Sequence, residues 1–274
     1  MLLGGTAVAA TIDSQLVVAC GIGGAIAWNL ITWRLAIPSS SSHALVGGLV
    51  GAVVVGAGAE DVVWELSELT RGHLVGVTKV VFTVPTSPIL GFALGYLIHR
   101  SMRFLLRATH SRVNRKLRRS QWLNAGLLAF VYGTNDAQKG KGIITKMLVP
   151  GGFLDEFAVP LWVIAISASS LTLGTLLGGW DIARTVGFGI YKLYGLDALL
   201  ASLTVIFGAS LFGGPEPKTH VVSTSIMGIG ASERPRAVQW SKAQEILATW
   251  LFTRPGAAIL SAVAYGLIAL NFAN

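Results

Sequence analysis

The sequence has little charge and almost no cysteine. Only 12% of its 274 residues are charged and 53% are hydrophobic, whereas about 25% of a soluble domain is charged. A chain of this composition is typical of a protein that lies in a lipid bilayer. The single cysteine, Cys20, excludes a disulfide within the chain and a cluster of cysteine ligands for a metal.

Acidic residues are missing from the middle of the chain. Eight basic residues and no acidic one lie between His99 and Gln121, and they account for the whole net charge of +8. Such a segment is typical of a cytoplasmic connection between membrane spans. We therefore predict a basic cytoplasmic loop at 100–120, and not a nucleic-acid-binding surface. This loop would separate a first half, 1–99, from a second half, 121–274.

Long uncharged windows indicate the membrane spans. A spanning helix needs about 20 apolar residues, and with tilt each of these windows is long enough. The windows are Leu16–Trp33, Val80–Ile98, Phe157–Trp180, Ala198–Gly214 and Pro255–Phe272. The sequence therefore predicts an all-α, multi-pass integral protein of the cell membrane, with the lipid bilayer as its surroundings.

A proline lies five residues before a histidine at two places, Pro38 with His43 and Pro215 with His220. Uncharged runs of 16 and 12 residues follow the two histidines. Because such runs are too short to span a bilayer, we expect re-entrant helical hairpins at 38–59 and 215–232. The start of a half-helix in a membrane presents N–H groups and a positive dipole end to an anion.

A third motif lies only in the second half. The apolar run Trp122–Tyr132 is followed by a stretch with glycines, Asn135 and Asp136, after which the apolar pattern resumes at Ile143. A carboxylate within a membrane costs several kcal/mol unless it is paired or hydrated, so it predicts a functional site. We expect a broken helix over 122–149. The alternative is that Asn135 and Asp136 only cap a helix that begins after them.

These motifs resemble those of the inorganic phosphate transporter (PiT) family, whose members carry an inverted repeat with a Gly-x-Asn-Asp helix break and a Pro-x-Ser-Thr-Thr-His hairpin in each half. The stretch from Gly133 to Lys139 matches the break, Pro38–Ala52 matches the first hairpin, and His220–Ser232 looks like the second. The resemblance implies a fold of two inverted repeats with a discontinuous helix. It also implies a secondary transporter of inorganic phosphate, not an enzyme, which couples to a proton or sodium gradient by alternating access.

Two departures from the family pattern are visible. The second hairpin has Pro217 and Lys218 where the family has hydroxyl residues, which leaves Thr219 before His220. The first Gly-x-Asn-Asp break is absent, because the spacing in the second half would put its counterpart before Met1. We therefore expect that the chain lacks the N-terminal segment that carries this motif.

The resemblance assigns a role to each polar residue of these motifs. Asp136 would accept a phosphate O–H or share a cation with Asn135, and sulfate would leave this carboxylate unpaired. Lys218 would contact phosphate, replace a coupling cation, or extend to the membrane interface. The residues expected to bind phosphate are Ser40, Ser41, Ser42, Asn135, Asp136, Lys218 and Thr219. The coupling cation, Na⁺ or H⁺, would lie at Asn135 and Asp136, with no other cofactor and no resident metal.

His43 and His220 are predicted to have a structural role in the hairpins, with a proton relay as the alternative. Gly47 with Gly51, and Gly91 with Gly95, predict close helix contacts.

Other functions stay open at this point. The protein could carry sulfate or a metal–phosphate complex, or it could be a fragment that transports nothing without a partner. A membrane-embedded enzyme is disfavoured because no nucleophile–base pair or metal-ligand spacing stands out. The sequence leaves a homo-oligomer open and gives no indication of a nucleic-acid partner.

Overall fold

The computed structural model describes residues 12–62, 76–105, 112–149, 151–154, 156–192, 201 and 218–272. This part of the chain is mainly α-helical, which confirms the predicted all-α fold class. Its helices are α1 (Ile12–Arg34), α2 (Ser41–Gly56), α3 (Gly76–Leu105), α4 (Arg112–Leu148), α5 (Leu161–Gly189), α6 (Lys218–Glu233) and α7 (Trp240–Phe272). Short 3-10 helices, Ala59–Asp61 and Pro235–Ala237, follow α2 and α6.

Among the residues that the structure describes, three helices are long and apolar enough to cross a membrane. They are Gln15–Arg34, Leu161–Gly189 and Trp240–Asn271. They coincide with three of the five predicted windows. The window Val80–Ile98 lies within the 30-residue helix α3. The window Ala198–Gly214 lies outside the described residues except for Ala201.

The chain divides into two compact units. Unit 1 combines Met1–Thr86 with Glu245–Asn274, and unit 2 is Ser87–Gln244. The first unit therefore joins the beginning of the chain to its end, so that α1 and α2 share a unit with most of α7.

In unit 1, α1 and α2 pack against each other in opposite directions. The Cα of Gly21 lies against Gly48 and Leu49, while Gly56 at the end of α2 lies against Val17 near the start of α1. One apolar cluster is formed at this end by Val17, Cys20, Ala52, Val53, Val62 and Tyr265. Another is formed by Ala25, Ala44 and Ala257. Small residues in both clusters, such as Ala25, Ala44 and Ala52, allow the helix backbones to approach closely.

The turn between α1 and α2 reverses the chain just before Pro38. Ala36 has a φ of 53°, a left-handed conformation that ends helices and that usually belongs to glycine. The amide of Ile37 donates to the carbonyl of Thr32 at 3.0 Å, which closes the end of α1. This turn fixes where the first hairpin helix begins.

In unit 2, α6 packs along α3, and α4 packs against α5. The contact of α6 with α3 uses Gly91, Gly95 and Gly228, each of which lies against backbone of the facing helix. At the contact of α4 with α5, Gly140 lies near Ser167. Both predicted glycine pairs, in α2 and in α3, therefore do occur at close helix contacts.

The predicted break over 122–149 is wrong, because α4 is one α-helix of 37 residues from Arg112 to Leu148. Glycine in a helix interior costs only about 1 kcal/mol, whereas proline is what breaks the hydrogen-bond ladder, and α4 contains none. Thr134 bonds the carbonyl of Phe130 at 2.9 Å within the helix. The helix ends at Leu148, and the sequence has a proline shortly after it, as is common beyond the end of a helix.

Of the predicted loop at 100–120, the structure describes 100–105 and 112–120, and both stretches are helical. Helix α3 continues to Leu105 and α4 begins at Arg112, so that helix covers both ends of the basic segment. Arginine, lysine and leucine are good helix formers, and charge alone does not end a helix. The cytoplasmic position of this segment stays a prediction.

Candidate functional site

Helix α2, which lies in the first predicted hairpin, begins in a cluster of serines. Ser40 is buried and caps the helix, since its Oγ accepts from the N–H of His43 at 3.4 Å. Ser41 is exposed and Ser42 is partly buried. The N–H groups of Ser41 and Ser42 belong to the first turn of α2, where N–H groups point out of the start of the helix. The hydroxyls of both serines can donate as well. Such an arrangement suits an anion.

Helix α7 holds the segment that leads into α2. The buried indole of Trp250 donates from Nε1 to the carbonyl of Pro38 at 3.1 Å. The hydroxyls of Ser39 and Thr253 are 3.1 Å apart and hydrogen-bonded. Two residues on successive turns of α7 therefore fix the backbone on the N-terminal side of the serine cluster.

Glycines bring α2 against the backbone of α7. A Cβ on Gly47 would overlap the carbonyl of Arg254, and a Cβ on Gly51 would overlap that of Ala258. The hydroxyl of Ser261 adds a hydrogen bond of 2.6 Å to the carbonyl of Gly48. Together with the contacts at Pro38 and Ser39, these contacts fix the position of α2 along α7 and its rotation about its own axis.

Helix α6, which lies in the second predicted hairpin, belongs to unit 2. It starts at Lys218, and its first turn carries Thr219, which is partly buried, and His220, which is fully buried. Thr224 bonds the carbonyl of His220 at 2.7 Å and lies against Gly91 of α3. The side chain of Lys218 lies outside the described residues, as do residues 215–217.

The far end of α6 is held by polar contacts. Glu233 forms an ion pair of 3.4 Å with Arg103 and accepts from the hydroxyl of Tyr191 at 2.8 Å. One turn earlier on α3, the buried ring of His99 is hydrogen-bonded through Nδ1 to Ser232. Helix α3 and the segment after α5 therefore both attach to the last two residues of α6.

Asp136 lies near the middle of α4 and forms an ion pair with Lys139. The Nζ of Lys139 is 2.9 Å from Oδ1 of Asp136. The two side chains keep 22% and 32% of their surface exposed, lysine first. The side chain of Asn135 lies outside the described residues. The sequence analysis missed Lys139, although a spacing of three residues between opposite charges on a helix is a recognisable signal.

The two histidines occupy equivalent positions. His43 and His220 are each the third residue of a 16-residue helix, and their rings are 1% and 0% exposed. Their predicted structural role in the hairpins stays a prediction, although burial at the first turn of each helix agrees with it.

Arg254 is a second residue that the sequence analysis missed. It is the only charged residue of α7 after Glu245, and the helix is a candidate span. A cation within such a span is costly and therefore points to a functional or pairing role. The sequence feature that could have identified it is a single arginine directly before the uncharged window Pro255–Phe272.

No group of three or more His, Cys, Asp and Glu side chains that could hold a metal ion occurs in the part of the chain that the structure describes. The polar groups that form the candidate site are the ion pair of Asp136 with Lys139 on α4 and the serines at the start of α2.

Comparison with known proteins decides the family. The profile described as the phosphate transporter family matches residues 1–118 and 106–261. The chain belongs to this family. The resemblance seen in the sequence is thereby confirmed.

Two curated relatives are described as probable low-affinity inorganic phosphate transporters. The protein of Bacillus subtilis is 37% identical over 265 residues, which cover 95% of this chain and 77% of the relative. The protein of Rhizobium meliloti is 39% identical over 254 residues, which cover 91% of this chain and 73% of the relative. The relatives are transporters, which confirms that the chain is not an enzyme. With the three apolar helices, family membership also makes it a membrane protein.

A solved structure shares the fold. The protein titled "The sodium-dependent phosphate transporter" superposes with a TM-score of 0.76 at 18% identity, over 94% of this chain and 80% of that one. At this identity the likeness concerns the fold alone. It agrees with the predicted all-α fold class.

Proposed function

We propose that the protein transports inorganic phosphate across a membrane. The observation that carries this proposal is the start of α2, where a helix too short to span opens on three consecutive serines, Ser40 to Ser42. A 16-residue helix is about 24 Å long, which is less than the roughly 30 Å of a hydrocarbon core. A helix start of this kind is suited to a partly hydrated anion.

The chemistry of phosphate agrees with the two kinds of polar group on these helices. Near neutral pH, phosphate has oxygens that accept and at least one O–H that donates. The hydroxyls of Ser40, Ser41, Ser42 and Thr219 and the first-turn N–H groups can donate to it. Asp136 can accept the phosphate O–H, which sulfate lacks, so that sulfate would leave a carboxylate unpaired.

The mechanism is proposed to be alternating access within an inverted repeat, with α2 and α6 as re-entrant helices. Supporting this, both helices have 16 residues with histidine at the third position. The coupling ion is proposed to be a proton or Na⁺. Asn135 remains a proposed ligand for phosphate or the cation, and Lys218 a proposed phosphate contact.

Uptake of labelled phosphate into proteoliposomes tests this function. We expect accumulation that depends on an imposed proton or sodium gradient, and competition by arsenate but only weakly by sulfate. Equal competition by sulfate would favour the alternative cargo. No uptake under either gradient would contradict the proposal.

A further inference from the structure

The ion pair on α4 raises a question that the proposed function leaves open, namely what neutralises Asp136. Asp136 and Lys139 lie one turn apart on the same face of the helix, with 2.9 Å between Nζ and Oδ1. Both side chains are more than half withdrawn from solvent. A carboxylate in such surroundings is costly unless a cation accompanies it.

An uncompensated Asp136 would repel the anion that it is proposed to bind. A metal ion bound to the carboxylate would neutralise its charge and so remove this repulsion. An ammonium group bound to the same carboxylate has the same effect. An ammonium has three N–H donors. Lysine can therefore hold Asp136 through one of these donors. The pair has no net charge, so the carboxylate oxygen that is not bonded to Lys139 can accept a phosphate O–H.

We propose that Lys139 is the built-in counter-cation of Asp136, so that phosphate binding and uptake by this protein do not require sodium. The proposal rests on the proposed function and specifies its ion requirement. It also differs from the sequence-based hypothesis, in which Lys218 replaces the cation, because Lys139 is the lysine that contacts the carboxylate.

Lys141 provides a matched control. It lies two residues further along α4, carries the same charge, and points about 200° away around the helix from Lys139. A variant at this position changes the charge of α4 by the same amount without removing the ammonium from Asp136.

The experiment measures labelled phosphate uptake by the full chain in proteoliposomes under a proton gradient, with either Na⁺ or choline as the other cation. The variants are Lys139→Met, Lys139→Arg, Lys141→Met and Lys218→Thr. We expect wild type and Lys141→Met to transport equally well in both salts. Lys139→Arg keeps the positive charge, so whatever uptake it retains should not depend on Na⁺. Lys139→Met should lose about tenfold or more of its uptake in choline, and Na⁺ should restore a large part of it.

Wild-type uptake that requires Na⁺ would overturn the inference. So would an equal loss in both salts for a Lys139→Met protein that elutes as wild type, and so would sodium dependence gained by Lys218→Thr but not by Lys139→Met. If Lys139→Met does not fold, two measurements replace it. They are phosphate uptake by Lys139→Gln in both salts, and uptake by wild type over a range of Na⁺ concentrations. Wild type that carries no phosphate in either salt contradicts the proposed function itself, whereas phosphate uptake with an unaffected Lys139→Met contradicts only this inference.

Discussion

His43 and His220 hold the same place in two helices of the same length, 177 residues apart in the sequence. The same interval separates Gly51 from Gly228, and each of these glycines lies against a backbone carbonyl, that of Ala258 or that of Phe92. Helix α2 runs in the same direction as α7 where the two pack, and α6 runs in the same direction as α3. The two units therefore build their short helices by one packing rule, which supports the proposed repeat.

The Asp136→Asn variant should abolish gradient-driven phosphate uptake and leave membrane insertion unchanged. The amide keeps the size of the side chain but loses the charge that pairs with Lys139 and accepts the phosphate proton. Uptake in proteoliposomes and elution in detergent are the measurements. Asp181→Asn is the control, because that carboxylate is exposed on α5. Normal uptake by Asp136→Asn would remove Asp136 from the site.

Ser40→Ala and Ser41→Ala should differ in their effect on stability. Ser40 caps α2 besides being a proposed phosphate donor, so its loss should cost about 1 kcal/mol of stability and lower the thermal unfolding temperature in detergent, as well as weaken phosphate affinity. Ser41 is exposed at the first turn, so its loss should weaken phosphate affinity and leave the unfolding temperature unchanged. An unchanged affinity in Ser41→Ala, measured from the concentration dependence of uptake, would argue against an anion at this helix start.

Gly51→Ala should destabilise unit 1, because the added methyl group meets the carbonyl of Ala258. Overpacking of this kind costs about 1–3 kcal/mol. Gly228→Ala should have the same effect in unit 2, where the methyl group meets the carbonyl of Phe92. The yield of monodisperse protein and its unfolding temperature report the effect. Gly23→Ala is the control, since among the described residues no atom outside its own stretch of helix lies within 4 Å of the added Cβ. Similar losses in all three variants would contradict the packing argument.

Tyr191→Phe should destabilise the end of α6 more than Arg103→Gln does. The hydrogen bond from Tyr191 to Glu233 is 2.8 Å long, and the tyrosine is buried. Its loss should cost about 1–2 kcal/mol, since a charged acceptor loses its partner. Arg103 keeps 54% of its side chain exposed, so its ion pair should contribute less than about 0.5 kcal/mol. Thermal unfolding in detergent measures both, and the reverse order would show that the ion pair dominates.

Local sequence signals were sufficient for some of this structure. The proline–histidine motifs predicted where short helices lie, and the paired glycines predicted close contacts, because both depend on residues near one another in sequence. The break in α4 was predicted wrongly because polar and glycine residues lower helix propensity without removing hydrogen bonds. The pair Asp136–Lys139 could have been recognised from its spacing.

Other contacts could not have been predicted from a single sequence. Trp250 is 212 residues from Pro38, and Thr253 is 214 residues from Ser39. No periodicity or motif connects such positions, and many other tryptophan and hydroxyl side chains were equally available. Only the folded chain shows which of them hold the start of α2.

The same distance along the chain has a consequence for how the protein is made. Ribosomes add about 5–20 residues per second, so roughly 10–40 s separate the synthesis of Pro38 from that of Trp250. During this interval α2 exists without the helix against which Gly47 and Gly51 pack. Unit 1 can therefore become complete only after α7 has been synthesised, and until then the start of α2 lacks the contacts that hold it.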